Sequence, residues 1–270
     1  MKQMGYEIRR FSRSRQFVAD TLRPAEHKHI IHGLLEVDVT QARQIIREYE
    51  ARTGEHLSFT MFVITCVGKV VGDDKMLQAY RLGRSKLIIY DDVDVVTLVE
   101  CTTAKGEKIV RGHVFRAVDK KSYLEINQEM QAIQAEPVRK VWSPRQEKLV
   151  SLLSLMPEFA RRWFWQYIFS NPHRVHQLGG TVCVTSIGMF GEGGGWGIPV
   201  VPNTLTLTLG GITRKPGIVD DRIEPREYLS VTVSFDHDIV DGAPAARFAG
   251  QLKQLIESGY GLPQVDLSLA

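Results

Sequence analysis

The residues best suited to chemistry lie at the end of the last strand that the sequence predicts. His237 stands in the segment SFDHDIVDG, and Asp241 and Gly242 follow in the same segment. A histidine with an ordinary pKa of about 6.5 is a usable general base near neutral pH. A thiol, with an ordinary pKa of about 8.5, is mostly protonated there, so its attack on an acyl group benefits from such a base. His237 is therefore a candidate base for thiol-dependent acyl transfer.

Asp241 has two interpretations, and both are structural. Its carboxylate can pair with a cation and hold the loop in shape, or it can cap a helix that starts at Gly242. We expect such a role rather than direct catalysis. The spacing HxxxDG alone occurs by chance in many proteins, so it becomes informative only together with its neighbouring segments.

A glycine-rich segment, GEGGGWG at Gly191–Gly197, superficially resembles a phosphate-binding loop. It lacks the lysine of a P-loop and the change from strand to helix that such a loop requires. We therefore expect a flexible loop near a substrate channel.

Two groups of histidines are candidate metal ligands. A structural zinc site needs four convergent ligands. In the first group, a strand over residues 29–37 would place two members on opposite faces, and the second group lies near a predicted turn. We therefore expect no metal at His27, His29 and His32 or at His173 and His176.

The composition is that of an ordinary globular protein. The chain has 270 residues, of which 43% are hydrophobic and 24% charged, and its formal net charge of +3 is too small to indicate nucleic-acid binding. Cys66, Cys101 and Cys183 lack CxxC spacing, which favours buried free thiols in a reducing compartment. No secretory signal or long apolar run is present, so we expect a soluble cytoplasmic protein.

The elements that must position these residues alternate between helices and strands. A first helix is predicted over residues 7–23, where five arginines leave one basic face exposed. Hydrophobic spacing then predicts a mixed α/β sheet with helices on one face, and the length allows one large domain or two small ones. The predicted order is a strand at 29–37, a helix capped by Thr40, a helix at 58–71, strands at 86–89, 93–101 and 108–115, a helix at 123–135, strands at 181–185, 204–209 and 229–235, and a last helix that ends at Gly259.

Residues 137–178 interrupt this alternation. They contain three of the four tryptophans together with many basic residues, and two amphipathic helices broken near Pro157 are predicted between Glu147 and Phe169. The segment is a buried helical insertion, a partner-binding face or a membrane-surface element. Packing is favoured, because apolar stripes at helical spacing usually face a core.

Four segments together resemble one known family. GGTVCVTSIGMFG, IPVVPNTLTLTLGGI, RKPGIVDD and SFDHDIVDGAPAARFAGQLKQLIE follow in the order, and at roughly the spacing, of the catalytic domain of the dihydrolipoyl acyltransferase component of 2-oxo acid dehydrogenase complexes. The segments HIIHGLLEVDVTQ and LSFTMFVITCVGKVV match more loosely, so the resemblance covers most of residues 10–260, with 137–178 longer and unlike the family. It implies a chloramphenicol acetyltransferase-like, two-layer fold in a single catalytic domain over residues 1–270, with a helical insertion at about 137–178.

The resemblance also implies roles for individual residues. His237 falls on the family's histidine, which deprotonates the thiol of CoA or dihydrolipoamide, and Asp241 falls on its aspartate or asparagine. Thr185 falls on the hydroxyl residue that donates to the oxyanion of the tetrahedral intermediate. A shift of one position would give that role to Ser186. Arg13 resembles an arginine that pairs with the motif aspartate, although a solvated basic face explains it equally well.

Family members act as trimers in which the histidine and the hydroxyl come from different subunits. The resemblance therefore implies a homotrimer, and Leu267 and Leu269 of the tail could dock on a neighbouring trimer to build a 24-subunit cube. The sequence shows no lipoyl or subunit-binding domain, and Asp238 stands where the family commonly has arginine. We therefore expect CoA as substrate and, as one acceptor among several, a lipoyl group on another protein.

Two functions remain open from the sequence. The first is a CoA-dependent acyltransferase. The second is a catalytically idle structural core, or scaffold, that recruits partners through residues 137–178. The first is favoured because His237, Asp241 and the hydroxyl of Thr185 are all present. Membrane-surface contact through 137–178 is a third, weaker alternative.

Overall fold

Helices and strands alternate along the chain as the hydrophobic pattern predicts. The computed structural model describes residues 6–102, 106, 108–135, 152–153, 155–188 and 193–263. The helices are α1 (Arg13–Leu22), α2 (Thr40–Thr53), α3 (Phe59–Asp73), α4 (Tyr123–Ala135), α5 (Glu158–Phe169), α6 (Pro172–Gly179) and α7 (Gly242–Glu257). The strands are β1 (Ile30–Asp38), β2 (Tyr80–Leu82), β3 (Lys86–Ile88), β4 (Val95–Thr102), β5 (Lys108–Phe115), β6 (Val182–Ser186), β7 (Leu205–Val219) and β8 (Arg222–Asp236).

The main sheet has six strands in the order β1-β8-β7-β6-β4-β5. Strand β6 is parallel to both of its neighbours, β4 and β7, whereas the other pairs are antiparallel. Strands β2 and β3 form a separate antiparallel hairpin. The predicted mixed sheet is therefore confirmed.

One face of the sheet carries the hydrophobic core. The apolar residues that alternate along β6, β7 and β8 are buried there, against α3 and α7. The contact between Phe235 of β8 and Phe248 of α7 is typical, with ring centroids 5.5 Å apart and planes at 89°. Helix α3 is buried nearly all round, from Met61 to Val71, as its apolar composition predicts. The helices thus fix the end of β8, which leads directly to His237.

The opposite face of the sheet is polar and is covered by residues 193–203. Thr206, Thr208 and Thr232 lie on this face, and each is at most 2% exposed. The covering segment approaches the strand backbone directly. A Cβ atom at Gly210 would collide with the carbonyl oxygen of Gly195, which explains the glycine at this position.

Three local predictions differ from the structure. The first helix begins at Arg13 rather than near residue 7. Thr40 is the first residue of α2 and does not cap it, because the Asp38 carboxylate accepts hydrogen bonds from the Thr40 amide (2.9 Å) and hydroxyl (2.6 Å). Strands β7 and β8 continue beyond their predicted ends into a long hairpin, in which Pro216 lies opposite Pro225. The segment RKPGIVDDRIEPREY, whose sequence indicates a hairpin-like connection, thus forms the two paired arms.

Within residues 137–178 the structure describes 152–153 and 155–178. Helix α5 has Pro157 as its N-cap, at the position where the sequence predicts a break. Its inner face contacts α1, where Arg161 Nε lies 3.1 Å from Asp20 Oδ2, and Trp165 is buried. Phe159 and Trp163 are exposed on the outer face. The predicted packing is confirmed for one face of α5 only. None of the described helices combines the length and the apolarity that a membrane-crossing segment needs.

Helix α6 is held against the residue that precedes strand β4, Asp94. His176 Nε2 lies 2.8 Å from the buried Asp94 carboxylate, which Arg116 also contacts at 2.6 Å. The His176 ring stacks on Tyr90 at 3.9 Å. Strand β6 starts shortly after α6, so these contacts help to set where Thr185 lies.

Candidate active site

His237 immediately follows the last residue of β8 and is exposed. Its backbone amide donates to the carbonyl oxygen of His29 at 2.7 Å, so the main chain is held although the side chain is free to meet a ligand. Asp241 occupies the N-cap position of α7, but its exposed side chain makes no capping hydrogen bond. The position that the sequence predicts for Asp241 is therefore right, whereas the predicted capping hydrogen bond is absent.

The residue before His237 is a buried acid with a cation beside it. Asp236 Oδ2 lies 3.0 Å from Lys28 Nζ, and the two side chains are 7% and 18% exposed. Lys28 Nζ also donates to the carbonyl oxygen of Asn203 at 3.2 Å. The other carboxylate oxygen of Asp236 accepts from the Asp238 amide. The charged side chains of Lys28 and Asp236 are both largely buried and hydrogen-bonded, so they hold the end of β8 firmly.

The residue after His237 is also a paired acid. Asp238 Oδ1 lies 2.9 Å from His29 Nδ1, and its Oδ2 accepts from Arg81 Nη1 at 3.1 Å. The hydrogen bond from His29 and the charges of His29 and Arg81 lower the pKa of Asp238 below its ordinary value. Asp238 therefore stays ionised at neutral pH and keeps both partners.

Thr185 and Ser186 point to opposite faces of the sheet. Both lie at the end of β6, where side chains alternate. Thr185 is paired with Thr208, on the polar face under residues 193–203. Ser186 instead lines a cleft of about 650 Å³ on the helix side. The two hydroxyls therefore cannot substitute for each other without a rotation of the strand.

The cleft beside Ser186 lies between the sheet and the adjoining ends of α2 and α3. Arg47, His56 and Ser58 are among the residues that line it. Its charges are mutually compensated, since Arg47 pairs with Glu227 at 3.3 Å and His56 with Glu50 at 2.7 Å. The cleft therefore has little net charge, and apolar residues such as Phe59, Leu209 and Leu229 also line it.

Thr185 and His237 do not meet within one chain. In the strand register, Thr185 is level with Thr208 and Thr208 is level with Thr232, so His237 lies two strands across and five positions further along. With a rise of about 3.3 Å per residue and strands about 4.8 Å apart, the two Cα atoms are about 19 Å apart. This exceeds the reach of both side chains together.

The structure describes some, but not all, of the other residues that the sequence singles out. The side chains of Arg13 and His27, and both Leu267 and Leu269, lie outside the described part of the chain. His32 Nδ1 contacts the hydroxyl of Ser234 at 2.8 Å rather than a third histidine. Where the chain is described, no three His, Cys, Asp or Glu side chains converge as metal ligands do.

The cysteines are free thiols, and Cys66 and Cys101 are buried as the sequence predicts, whereas Cys183 is half-buried. Burial raises the pKa of Cys66 and raises that of Cys183 to about 11. These thiols stay protonated at neutral pH, so neither is an activated nucleophile.

The sequence did not reveal the residues that surround His237. Two acids flank this histidine in the sequence, and two acids at the end of a strand need cationic partners nearby. That signal could have pointed to Lys28 and His29, which directly precede the strand that pairs with β8. Arg81 had no such signal, because it reaches Asp238 from a separate hairpin.

Comparison with known sequences identifies the region that contains the site. Residues 171–262 match the family of 2-oxoacid dehydrogenases acyltransferase (catalytic domain). A dihydrolipoyllysine-residue acetyltransferase component of the pyruvate dehydrogenase complex from Zymomonas mobilis is 36% identical over 84 residues, which is 31% of this chain and 19% of that protein. The chain thus spans about a fifth of the length of the curated relatives it matches.

Solved structures share the whole fold. A probable dihydrolipoamide acetyltransferase from Listeria monocytogenes superimposes with a TM-score of 0.71 at 20% identity, covering 97% of this chain and 99% of that one. The cubic core of the pyruvate dehydrogenase multienzyme complex gives 0.66 at 19% identity, with 93% and 91% covered. The dihydrolipoamide acetyltransferase of Azotobacter vinelandii, studied for the catalytic roles of a serine, a histidine and an asparagine, gives 0.65 at 20%, also with 93% and 91% covered. The predicted resemblance and fold class are confirmed.

Proposed function

From the catalytic-domain sequence in residues 171–262, we propose that this chain is a CoA-dependent acyltransferase. It moves an acyl group between CoA and a thiol, such as dihydrolipoamide carried by another protein, or another small acceptor. One observation carries the proposal. In the Azotobacter enzyme the catalytic histidine follows the serine by 52 positions and precedes the asparagine by 4. Thr185, His237 and Asp241 have the same separations, which supports Thr185 over Ser186 as the hydroxyl residue.

The chemistry follows from the residue types. The His237 imidazole accepts the proton of the attacking thiol, and the thiolate forms a bond to the acyl carbon of the thioester. The Thr185 hydroxyl donates a hydrogen bond to the resulting oxyanion. When the tetrahedral intermediate collapses, its bond to the original sulfur breaks and the imidazolium returns the proton to that leaving thiolate. No redox partner or metal is needed for this balance.

The site requires two copies of the chain. Because Thr185 and His237 of one copy are about 19 Å apart, we propose that each His237 works with the Thr185 of a neighbouring copy in a homotrimer. The exposure of His237 and the half-buried setting of Thr185 support such a shared site. The cubic core among the similar structures supports a 24-subunit cube as a further step in assembly.

Thiol release from acetyl-, propionyl- and longer acyl-CoAs, with dihydrolipoamide as acceptor, tests the proposal. His237→Ala should lower the rate roughly 10²–10⁴-fold, because a general base contributes that much. His173→Ala is a matched control, since His173 is an exposed histidine on α6 that contacts Tyr90. Equal rates for wild type and His237→Ala would remove His237 from the mechanism.

The scaffold alternative has one observation in its favour. Phe159, Trp163 and Tyr167 are all more than half exposed and lie four residues apart on one side of α5. Such a row of aromatic residues is typical of a surface that contacts a partner. Wild-type protein that forms the trimer yet transfers no acyl group from any of these CoA esters would favour the scaffold.

A further inference from the structure

Three segments that are distant in the sequence meet beside His237. Asp238 comes from the loop after β8, His29 directly precedes β1, and Arg81 lies in the β2–β3 hairpin. Both oxygens of the Asp238 carboxylate are engaged, one by His29 Nδ1 at 2.9 Å and the other by Arg81 Nη1 at 3.1 Å. We call Asp238, His29 and Arg81 the carboxylate latch.

The latch is connected to the proposed base through the main chain. His29 uses its ring to contact Asp238 and its carbonyl oxygen to accept from the His237 amide at 2.7 Å. The side chain of Asp238 therefore orients the residue that holds the backbone of His237. Lys28, the neighbour of His29, secures Asp236 on the other side of His237. Two consecutive residues thus fasten the residues on both sides of the imidazole.

The latch also joins a separate hairpin to the loop that carries His237. Strands β2 and β3 pair only with each other, outside the six-stranded sheet. Arg81 crosses from this hairpin to Asp238, and the two side chains are 51% and 30% exposed. A surface ion pair of this kind contributes little to overall stability. Its location next to His237 gives it a different consequence.

We propose that Asp238 is a positioning residue for His237, acting through His29 and Arg81. This inference rests on the proposed function, because it assumes that His237 is the base. A general base must be held close to its working geometry, and a displacement of about 1 Å can cost about 10²-fold in rate. The latch restrains the loop through the hydrogen bonds of the Asp238 carboxylate and of the His29 carbonyl oxygen, and Lys28 separately restrains Asp236 on the other side of His237.

A cycle of four proteins separates positioning from a merely structural role. The proteins are wild type, Asp238→Asn, His237→Ala and the double variant, each assayed for acyl transfer. Asp238→Asn removes the charge but keeps the shape, and it should lower kcat about 10–100-fold in the wild-type background. In the His237→Ala background the same change should cost less than about twofold, because the group being positioned is gone. Asp238→Glu should recover part of the lost rate.

Two controls accompany the cycle. Asp73→Asn breaks an exposed ion pair of comparable type, with Lys69 on α3 at 2.8 Å, and should leave kcat near the wild-type value. Hydrogen exchange at the His237 amide provides a readout independent of activity. This amide should exchange faster in Asp238→Asn, because its acceptor, the carbonyl oxygen of His29, is less firmly held.

The outcomes distinguish a failure of the positioning role of Asp238 from a failure of the proposed acyltransferase function. If His237→Ala is as active as wild type, the proposed function fails and the inference fails with it. If His237→Ala is impaired but Asp238→Asn has no effect, or costs equally in both backgrounds, only the inference is overturned. Unchanged exchange at the His237 amide would likewise contradict the latch.

Discussion

Thr185 and His237 lie on the same sheet, two strands apart and five residue positions out of line. The separation of about 19 Å follows from strand geometry and leaves each residue as half of the proposed site. Strand β7, which pairs with β6 on one side and with β8 on the other, fixes this separation within one chain. The site that we propose therefore depends on how copies of the chain meet.

The hydroxyl of Thr185 should be needed for catalysis, whereas that of Ser186 should not. Thr185→Val keeps the shape and suits a strand, and it should lower kcat about 10²–10³-fold through loss of one oxyanion donor. Thr185→Ser should stay within about tenfold of wild type, since serine donates the same bond. Ser186→Ala is the matched control, because Ser186 faces the cleft on the opposite side of the sheet. A larger loss in Ser186→Ala than in Thr185→Val would reverse this assignment.

The protein should be an oligomer in solution. One chain has a mass of 30.5 kDa. The proposed shared site belongs to a homotrimer, so the smallest active particle should contain three chains. Light scattering coupled to size exclusion should return about three times this mass or a multiple of it. A stable particle with the mass of one chain would contradict both the trimer and the shared site.

Much of the fold was predictable, because local patterns and the sheet agree. Alternation along Leu229–Phe235 placed the core strand correctly, and the apolar composition of α3 predicted its burial. Contacts between distant segments were not predictable. The Asp38 carboxylate accepts from the amide and hydroxyl of Thr40 while Arg226, far along the chain, contacts that carboxylate at 2.7 Å. No local pattern contains that information.

The contacts within the candidate site were likewise only partly predictable from the sequence. Resemblance and spacing predicted Thr185, His237 and Asp241 as candidates, and the strand register then placed the first two apart. The residues around His237 come from three segments, and the hairpin with Arg81 contacts the loop through the Arg81 side chain. Such a contact depends on the folded arrangement, so the sequence alone could not provide it.

Asp38 should make stability depend on pH in the acid range. Burial opposes its ionisation, but hydrogen bonds from Thr40 and Arg226 outweigh that effect, so the pKa of Asp38 lies below its ordinary value. A group with a lowered pKa stabilises the fold above its unfolded pKa of about 3.9, and this contribution is lost as pH falls towards the folded pKa.

Asp38→Asn tests this dependence. At pH 7 it should lower the free energy of unfolding by about 1–2 kcal/mol, because it removes charge-assisted hydrogen bonds. The difference from wild type should narrow as the pH falls below about 3.9. Urea denaturation of both proteins at several pH values measures this difference. A gap that stays constant down to the lowest pH would show that the charge of Asp38 does not stabilise the fold.

The shared site can be tested most directly by mixing two inactive variants. His237→Ala chains retain Thr185, and Thr185→Val chains retain His237, so hybrid trimers should contain some sites with both residues intact. Random 1:1 assembly after unfolding and refolding together places an intact pair in about a quarter of the sites. We predict that acyl transfer from acyl-CoA recovers to about a quarter of the wild-type rate per chain. A mixture no more active than the two variants refolded separately would contradict the shared site.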